Sequence, residues 1–242
     1  MNEFHADVTT PEGQMECFAV HPDGDGPYPA VILYMDVPGI REELRNFCRR
    51  IAEQGYFCLL PDLYYREGKL RFDLSGGEEE LQKMFAAGMK LSVEGIMRDT
   101  QGMLDYLDGN AAVSGPTGCI GYCMSGQYVV AAAGTFPDQI GAAASLYGVR
   151  IVTNDEDSPH RLANKIKAEL YLGFAQHDPY VEDNVIPDLK AALDEYGVTY
   201  TLEVHPDTEH GFCFPQRPAY AEAPAEKVWA TVFELYERTL KI

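Results

Sequence analysis

The chain has 242 residues, of which 46% are hydrophobic, so it can bury a substantial core as one large α/β domain or as two small ones. Its 38 acidic residues against 19 basic ones give a formal net charge of −19. A field of that sign repels nucleic acid and anionic lipid surfaces, so we expect neither as a partner.

The N-terminus and the cysteines indicate the compartment. Residues 1–7 are polar and acidic, without the basic and apolar regions of a secretory signal, and no stretch of about 18 apolar residues occurs. The six cysteines form neither a C-x-x-C pair nor zinc-ribbon spacing, which favours reduced thiols. The sequence therefore predicts a soluble, cytoplasmic protein.

The predicted elements alternate along the chain. Residues 3–20 alternate polar and apolar around a Pro-Gly turn, which predicts an N-terminal β-hairpin. The later strands are predicted at 30–35, 56–60, 117–122, 142–148, 170–175 and 199–204. Helical spacing of apolar residues predicts helices at 41–54, 78–89, 93–107, 128–133, 185–196 and 225–240. Loops are predicted chiefly at 66–77, 154–164 and 205–214. No linker interrupts the pattern, so it indicates one domain over residues 1–242.

One stretch, residues 117–127, indicates strand, sharp turn and helix in succession. At its centre, Gly121-Tyr122-Cys123-Met124-Ser125 is a variant of the nucleophile elbow G-x-S-x-G, with cysteine as the nucleophile and serine replacing the last glycine. Small residues leave room for such a turn. The alternative interpretation is a buried cysteine packed behind a glycine turn.

Two further groups follow later predicted strands. Asp178 and His210 come after the strands at 170–175 and 199–204, and the carboxyl ends of parallel strands share one sheet edge. The order nucleophile, acid, histidine is that of α/β-hydrolases. Asp178 could instead be a turn former before its proline. His205 and His177 compete with His210, but only His210 is followed by a glycine that frees its loop.

Four segments together resemble the dienelactone hydrolase (carboxymethylenebutenolidase-like) family. They are Asp62-Leu63-Tyr64-Tyr65, Gly121-Tyr122-Cys123-Met124-Ser125-Gly126, Gln176-His177-Asp178-Pro179 and His210-Gly211-Phe212. The match covers nearly the whole chain in order. It implies an α/β-hydrolase fold, with a mostly parallel central sheet flanked by helices, and a triad of Cys123, Asp178 and His210. It also implies that no metal or organic cofactor is needed.

The resemblance implies further roles. The backbone N–H groups of Val37 and Met124 would form the oxyanion hole. Asp36 stands where the family has a glutamate that contacts the resting cysteine, although it could equally cap the turn that follows it. The substrate-binding arginines have no match in the helix that begins near residue 78, and the C-terminal one is displaced to Arg217. Candidate substrate contacts are Arg217, Tyr147 and Tyr64.

These assignments predict a hydrolase that cleaves carboxylic esters or lactones through an acyl-thioester on Cys123. Its partner would be a small ester or lactone, and the chain would act as a monomer or homodimer. The alternative is a redox-sensing or ligand-binding thiol protein on a non-catalytic hydrolase-like scaffold. A sensor needs only the thiolate, so the presence of all three triad residues favours the hydrolase.

Overall fold

A computed structural model describes residues 1–24 and 26–241. The chain forms two compact units, Met1–Gly115 and Pro116–Ile242. Each has its own layer of strands covered by helices. Whether the two units form a single domain over residues 1–242 stays a prediction.

The first unit combines a hairpin with a parallel pair. Its elements are β1 (Asn2–Thr10), β2 (Gly13–His21), β3 (Ala30–Tyr34), α1 (Glu42–Glu53), β4 (Phe57–Pro61), α2 (Gly77–Gly88) and α3 (Val93–Asp108). Strands β1 and β2 pair antiparallel, β2 pairs antiparallel with β4, and β4 pairs parallel with β3. All residues of β3 and β4 are buried. The predicted N-terminal hairpin is therefore confirmed, and it extends the parallel pair.

All strand pairs within the second unit are parallel. Its elements are β5 (Thr117–Tyr122), α4 (Gly126–Thr135), β6 (Ile140–Leu146), β7 (Glu169–His177), α5 (Val185–Glu195), β8 (Tyr200–Glu209) and α6 (Glu222–Leu240). The strands lie in the order β5-β6-β7-β8. Helices α4 and α6 pack against them and bury continuous apolar strands of the kind that parallel sheets need. The carboxyl ends of β5, β7 and β8 lie at one edge.

Three predicted loops differ from the structure. Short 3-10 helices occupy Tyr65–Glu67 and Pro159–Lys165 inside two of them. The third prediction, a loop from residue 205 to 214, is wrong in its first half, because β8 continues to Glu209. The strand passes an irregularity at Asp207, whose φ of 56° is left-handed and whose N–H donates to the Gln176 side chain at 2.8 Å. His210 consequently follows directly on a strand.

Candidate active site

Cys123 lies at a tight elbow between β5 and α4. The 3-10 turn Cys123–Ser125 joins the two elements, and Cys123 has a φ of 55°. That left-handed conformation costs a residue with a Cβ on the order of 1–3 kcal/mol and is typical of functional turns. A Cβ on Gly126 would lie 2.3 Å from the Gly148 Cα, and one on Gly121 would lie 2.6 Å from the Ser125 carbonyl oxygen. Both glycines are therefore required by the close packing of the turn.

The thiol of Cys123 is accessible. Of the six cysteines, all of which lie in the described part of the chain, Cys123 alone is partly exposed and the other five are buried. Burial raises the pKa of the Cys17, Cys119 and Cys213 thiols, which makes these thiols poor nucleophiles. The interpretation of Cys123 as a buried packing residue is therefore wrong.

Asp178 and His210 meet at the ends of neighbouring strands. In the parallel pair β7 and β8, His177 lies opposite Glu209. The residues that follow them, Asp178 and His210, therefore lie side by side. The His210 Nδ1 is 2.7 Å from the Asp178 Oδ2. Both side chains are nearly buried, with 8% and 4% exposure. Because a carboxylate only accepts, Nδ1 carries a hydrogen in both the neutral and the protonated imidazole, and Nε2 is the atom that gains or loses the proton.

The proton affinity of His210 reflects its neighbours. Burial lowers its pKa, but the hydrogen bond with Asp178 and the interaction with Cys123 outweigh burial and raise the pKa to about 9. The Nε2 atom has no partner with hydrogen-bond geometry. Cys123 lies close enough to the imidazole to contribute to the raised pKa, although Nε2 makes no contact with full hydrogen-bond geometry in this site without substrate. These three groups form one electrostatic cluster.

The competing histidines are placed differently. His205 is 3% exposed, and its Nε2 lies 3.1 Å from the hydroxyl of Tyr171. Burial is the main cause that lowers the pKa of His205. His177 is exposed on the last position of β7. Among these three histidines, His210 is the one bonded to Asp178.

Two tyrosines flank the imidazole of His210. Tyr147, a predicted substrate contact, is fully buried with a φ of 36°, and its ring centroid is 5.0 Å from that of His210. Tyr180 is 55% exposed, and its ring centroid is 4.8 Å away. Its N–H donates to the Asp178 Oδ1 at 3.0 Å. Sequence reasoning missed Tyr180; its only signal was an aromatic residue two positions after the candidate acid.

Arg217 lies on the segment that follows His210. Its guanidinium is stacked 4.3 Å above the ring centroid of Phe214, and its backbone N–H donates to the Phe214 carbonyl at 3.0 Å. The Arg217 side chain also covers Gly211, where a Cβ would lie 3.0 Å from Nη1. Arg217 is therefore held beside the residue next to His210, and it is partly exposed.

The remaining predicted residues of the first unit are buried. Asp36 has 0% exposure, and its two carboxylate oxygens accept from Arg41 at 2.5 and 3.2 Å. The turn after it is closed by the Asp36 backbone carbonyl, which accepts from the Gly39 N–H at 3.0 Å. Tyr64 is 1% exposed and donates its hydroxyl to the Val37 carbonyl at 2.7 Å. Arg41 is a partner that sequence reasoning missed.

Met124 lies at the beginning of the helical segment after the elbow. Its backbone N–H falls among the first N–H groups of that segment, which have no acceptor inside a helix and point toward its N-terminal end. Such groups form a natural anion-binding position.

In the described parts of the chain, residues 1–24 and 26–241, no helix has the length and apolarity to span a membrane.

Comparisons with known proteins agree with this geometry. The model of the dienelactone hydrolase family matches residues 15–240. The chain is 27% identical over 244 residues to the "Putative carboxymethylenebutenolidase" of Synechocystis sp., covering 97% of this chain and 96% of the relative. It is 24% identical over 228 residues to the "Probable 2-oxo-3-(5-oxofuran-2-ylidene)propanoate lactonase" of Bradyrhizobium sp., covering 92% of this chain and 89% of that protein.

A solved structure supports the fold. The "Putative Dienelactone Hydrolase" of Klebsiella pneumoniae superimposes with a TM-score of 0.87 at 22% identity, and 98% of each chain is covered. This likeness confirms the predicted α/β-hydrolase fold. Because the family model spans both units, this chain belongs to the dienelactone hydrolase family.

Proposed function

We propose that the protein hydrolyses carboxylic esters or lactones with Cys123 as nucleophile, His210 as base and Asp178 as the residue that orients the histidine. The observation that carries the proposal is an accessible thiol on a strained elbow beside a histidine whose Nδ1 is bonded to a carboxylate at 2.7 Å. These features support the assignment of Cys123, His210 and Asp178 as a nucleophilic triad. Membership of the family supports the reaction class.

In the proposed reaction, the proton of the Cys123 thiol passes to the Nε2 of His210, and the sulfur then attacks the carbonyl carbon. The raised pKa of His210 means that it holds this proton readily, and Asp178 stabilises the imidazolium that results. The carbon–oxygen bond then breaks, and His210 returns the proton to the leaving oxygen. A water molecule, deprotonated by His210, next attacks the thioester and releases the acid and the thiol.

The negative oxygen of the tetrahedral intermediate needs donors. We assign one to the Met124 N–H, which lies in the first turn of the helical segment after Cys123. Removing one such donor typically lowers kcat by about 10²–10³. The second donor, Val37, and the role of Asp36 in controlling the resting thiol stay predictions from the family resemblance.

The substrate class also remains part of the proposal. One relative is named as a lactonase acting on a furan-ylidene propanoate, which is a lactone with a carboxylate. Arg217, on the segment after His210, is our candidate to hold such a carboxylate. The cytoplasmic location and the monomeric or homodimeric state stay predictions from the sequence.

The test of the proposed function is a panel of p-nitrophenyl esters and five-membered lactones of varied charge. Cys123→Ala should lower turnover at least about 1,000-fold and leave the fold intact, since alanine fits the elbow. Cys17→Ala, which removes a buried thiol of the first unit, is the control and should retain its turnover per folded molecule.

Labelling provides an independent readout of the same assignment. Iodoacetamide should modify Cys123 before the five buried thiols and should abolish activity in step with that labelling. Near-normal turnover of Cys123→Ala, or labelling of Cys123 without loss of activity, would show that the nucleophile is misassigned.

A further inference from the structure

A cavity opens beside the paired histidine and aspartate. It has a volume of about 620 Å³ and is lined by His177, Asp178, Pro179, Tyr180, Glu209 and His210. The proposed reaction uses only two of these residues. The cavity is large enough for a small aromatic group, since ligand pockets span about 300–1,000 Å³.

The two sides of the His210 imidazole differ in their exposure. Tyr147 closes one flank and is fully buried. The other flank is occupied by Tyr180, which is 55% exposed. The leaving oxygen must take its proton from His210, so it must come close to the imidazole. The exposed flank, on the side of Tyr180, therefore offers room for the substituent on that oxygen.

Tyr180 is well held for such a contact. Its backbone N–H is bonded to Asp178, and Pro179 restricts the turn between them. An exposed, oriented aromatic ring favours planar partners, because offset and edge-to-face ring contacts are the preferred geometries.

We propose that Tyr180 forms the wall of a leaving-group subsite that accepts planar alcohols such as phenols and enols. The proposal rests on the proposed function and specifies which half of the ester the cavity recognises. The acyl half stays on Cys123, and the alcohol half, protonated by His210, lies against Tyr180; it departs from an ester and stays tethered to the acyl group of an opened lactone.

The experiment compares two acetate esters, so that the acyl group is constant. Phenyl acetate has a planar leaving group, and 2,2,2-trifluoroethyl acetate has an activated alkyl one. The ratio of their kcat/KM values should fall about 3- to 10-fold in Tyr180→Ala. It should stay within about twofold of wild type in Tyr180→Phe, which keeps the ring. Tyr196→Ala is the matched control, because Tyr196 is 54% exposed and does not line the cavity.

The outcomes separate this proposal from the function on which it rests. Equal losses for both acetates in Tyr180→Ala would mean that the ring only supports His210, and the subsite would be refuted while the hydrolase stands. No loss for either acetate in Tyr180→Ala would refute the subsite as well. If wild type shows no Cys123-dependent hydrolysis of any ester, the proposed function fails and the subsite fails with it.

Discussion

The proton on His210 governs the proposed chemistry at the residue scale. Its pKa is raised from 6.5 to about 9, after burial is offset by Asp178 and Cys123. A histidine with a raised pKa binds its proton more tightly in the folded than in the unfolded chain. This contribution to stability is fully present below about pH 6.5 and is lost as the pH rises through about 9.

This linkage gives a stability prediction. Wild type should exceed His210→Gln in free energy of unfolding by an amount that shrinks between about pH 6 and about pH 9.5, by up to roughly 3 kcal/mol. Urea unfolding at both pH values measures it. His177→Gln, a neighbouring exposed histidine, is the control and should leave the pH dependence of wild type unchanged.

Cys123→Ala refines the same measurement, because it removes one of the causes that raise the pKa of His210. In this background the effect of His210→Gln should depend less steeply on pH. A pH-independent difference between wild type and His210→Gln would show that the imidazole is neutral in the resting site.

The sequence predicted Cys123, Asp178 and His210 because each belongs to a local pattern: a glycine elbow, a turn before proline, and a histidine before glycine. It missed Tyr180 and Arg41 because their contacts depend on tertiary placement. Tyr180 meets a ring 30 positions later, and no periodicity marks such an encounter.

At the element scale, the sequence predicts a strand at 199–204, whereas β8 extends to Glu209 in the structure. Proline and aspartate at positions 206 and 207 read as the beginning of a loop, because proline has no N–H for the ladder. Within its unit β8 pairs with β7 alone, so one side of its ladder needs no partner in that unit. The Gln176 side chain then accepts from the Asp207 N–H, where the ladder is irregular. The strand therefore continues to the residue before His210 and fixes its position.

The elbow between β5 and α4 gives the element-scale prediction. Gly126→Ala should destabilise the protein by about 1–3 kcal/mol, because its Cβ would overlap the backbone of Gly148 and the Ser145 hydroxyl. Turnover should fall as well, since relief of the overlap moves the turn that carries Cys123. Thermal unfolding and steady-state kinetics on the same preparation measure both effects.

Gly109→Ala is the matched control for this substitution. Gly109 ends α3 with a φ of −78°, and a Cβ there would lie 3.4 Å from the nearest atom, an ordinary contact. It should change stability by less than about 0.5 kcal/mol and leave turnover unaffected. Equal tolerance of both alanines would show that the elbow packs more loosely than its geometry indicates.

At the scale of the whole molecule, the net charge of −19 sets the field that a substrate meets on approach. The sequence alone gives the net charge, but it does not give the positions of the 19 basic side chains in the structure. Of these, Arg217 stacks on the Phe214 ring beside the residue that follows His210. We therefore expect long-range repulsion of anions together with local attraction at Arg217.

The final prediction separates these two effects with a matched pair of substrates. Monophenyl succinate carries a carboxylate on its acyl half, and phenyl butyrate is its neutral analogue. Raising the salt from about 0.01 M to about 0.15 M shortens the screening length from about 30 Å to about 8 Å. The kcat/KM for the succinate should then rise several-fold, while that for the butyrate should stay constant.

The substitution Arg217→Ala tests the local attraction of a substrate carboxylate. It should raise KM for monophenyl succinate about 10-fold, as expected for loss of a charged hydrogen bond worth about 1.5 kcal/mol or more, and should leave phenyl butyrate nearly unaffected. Its succinate rate should still rise with salt, because the surrounding field is unchanged. Equal losses for both esters would exclude Arg217 as a carboxylate site, and a wild-type succinate rate that falls with salt would show that local positive charge, not the net charge, controls approach.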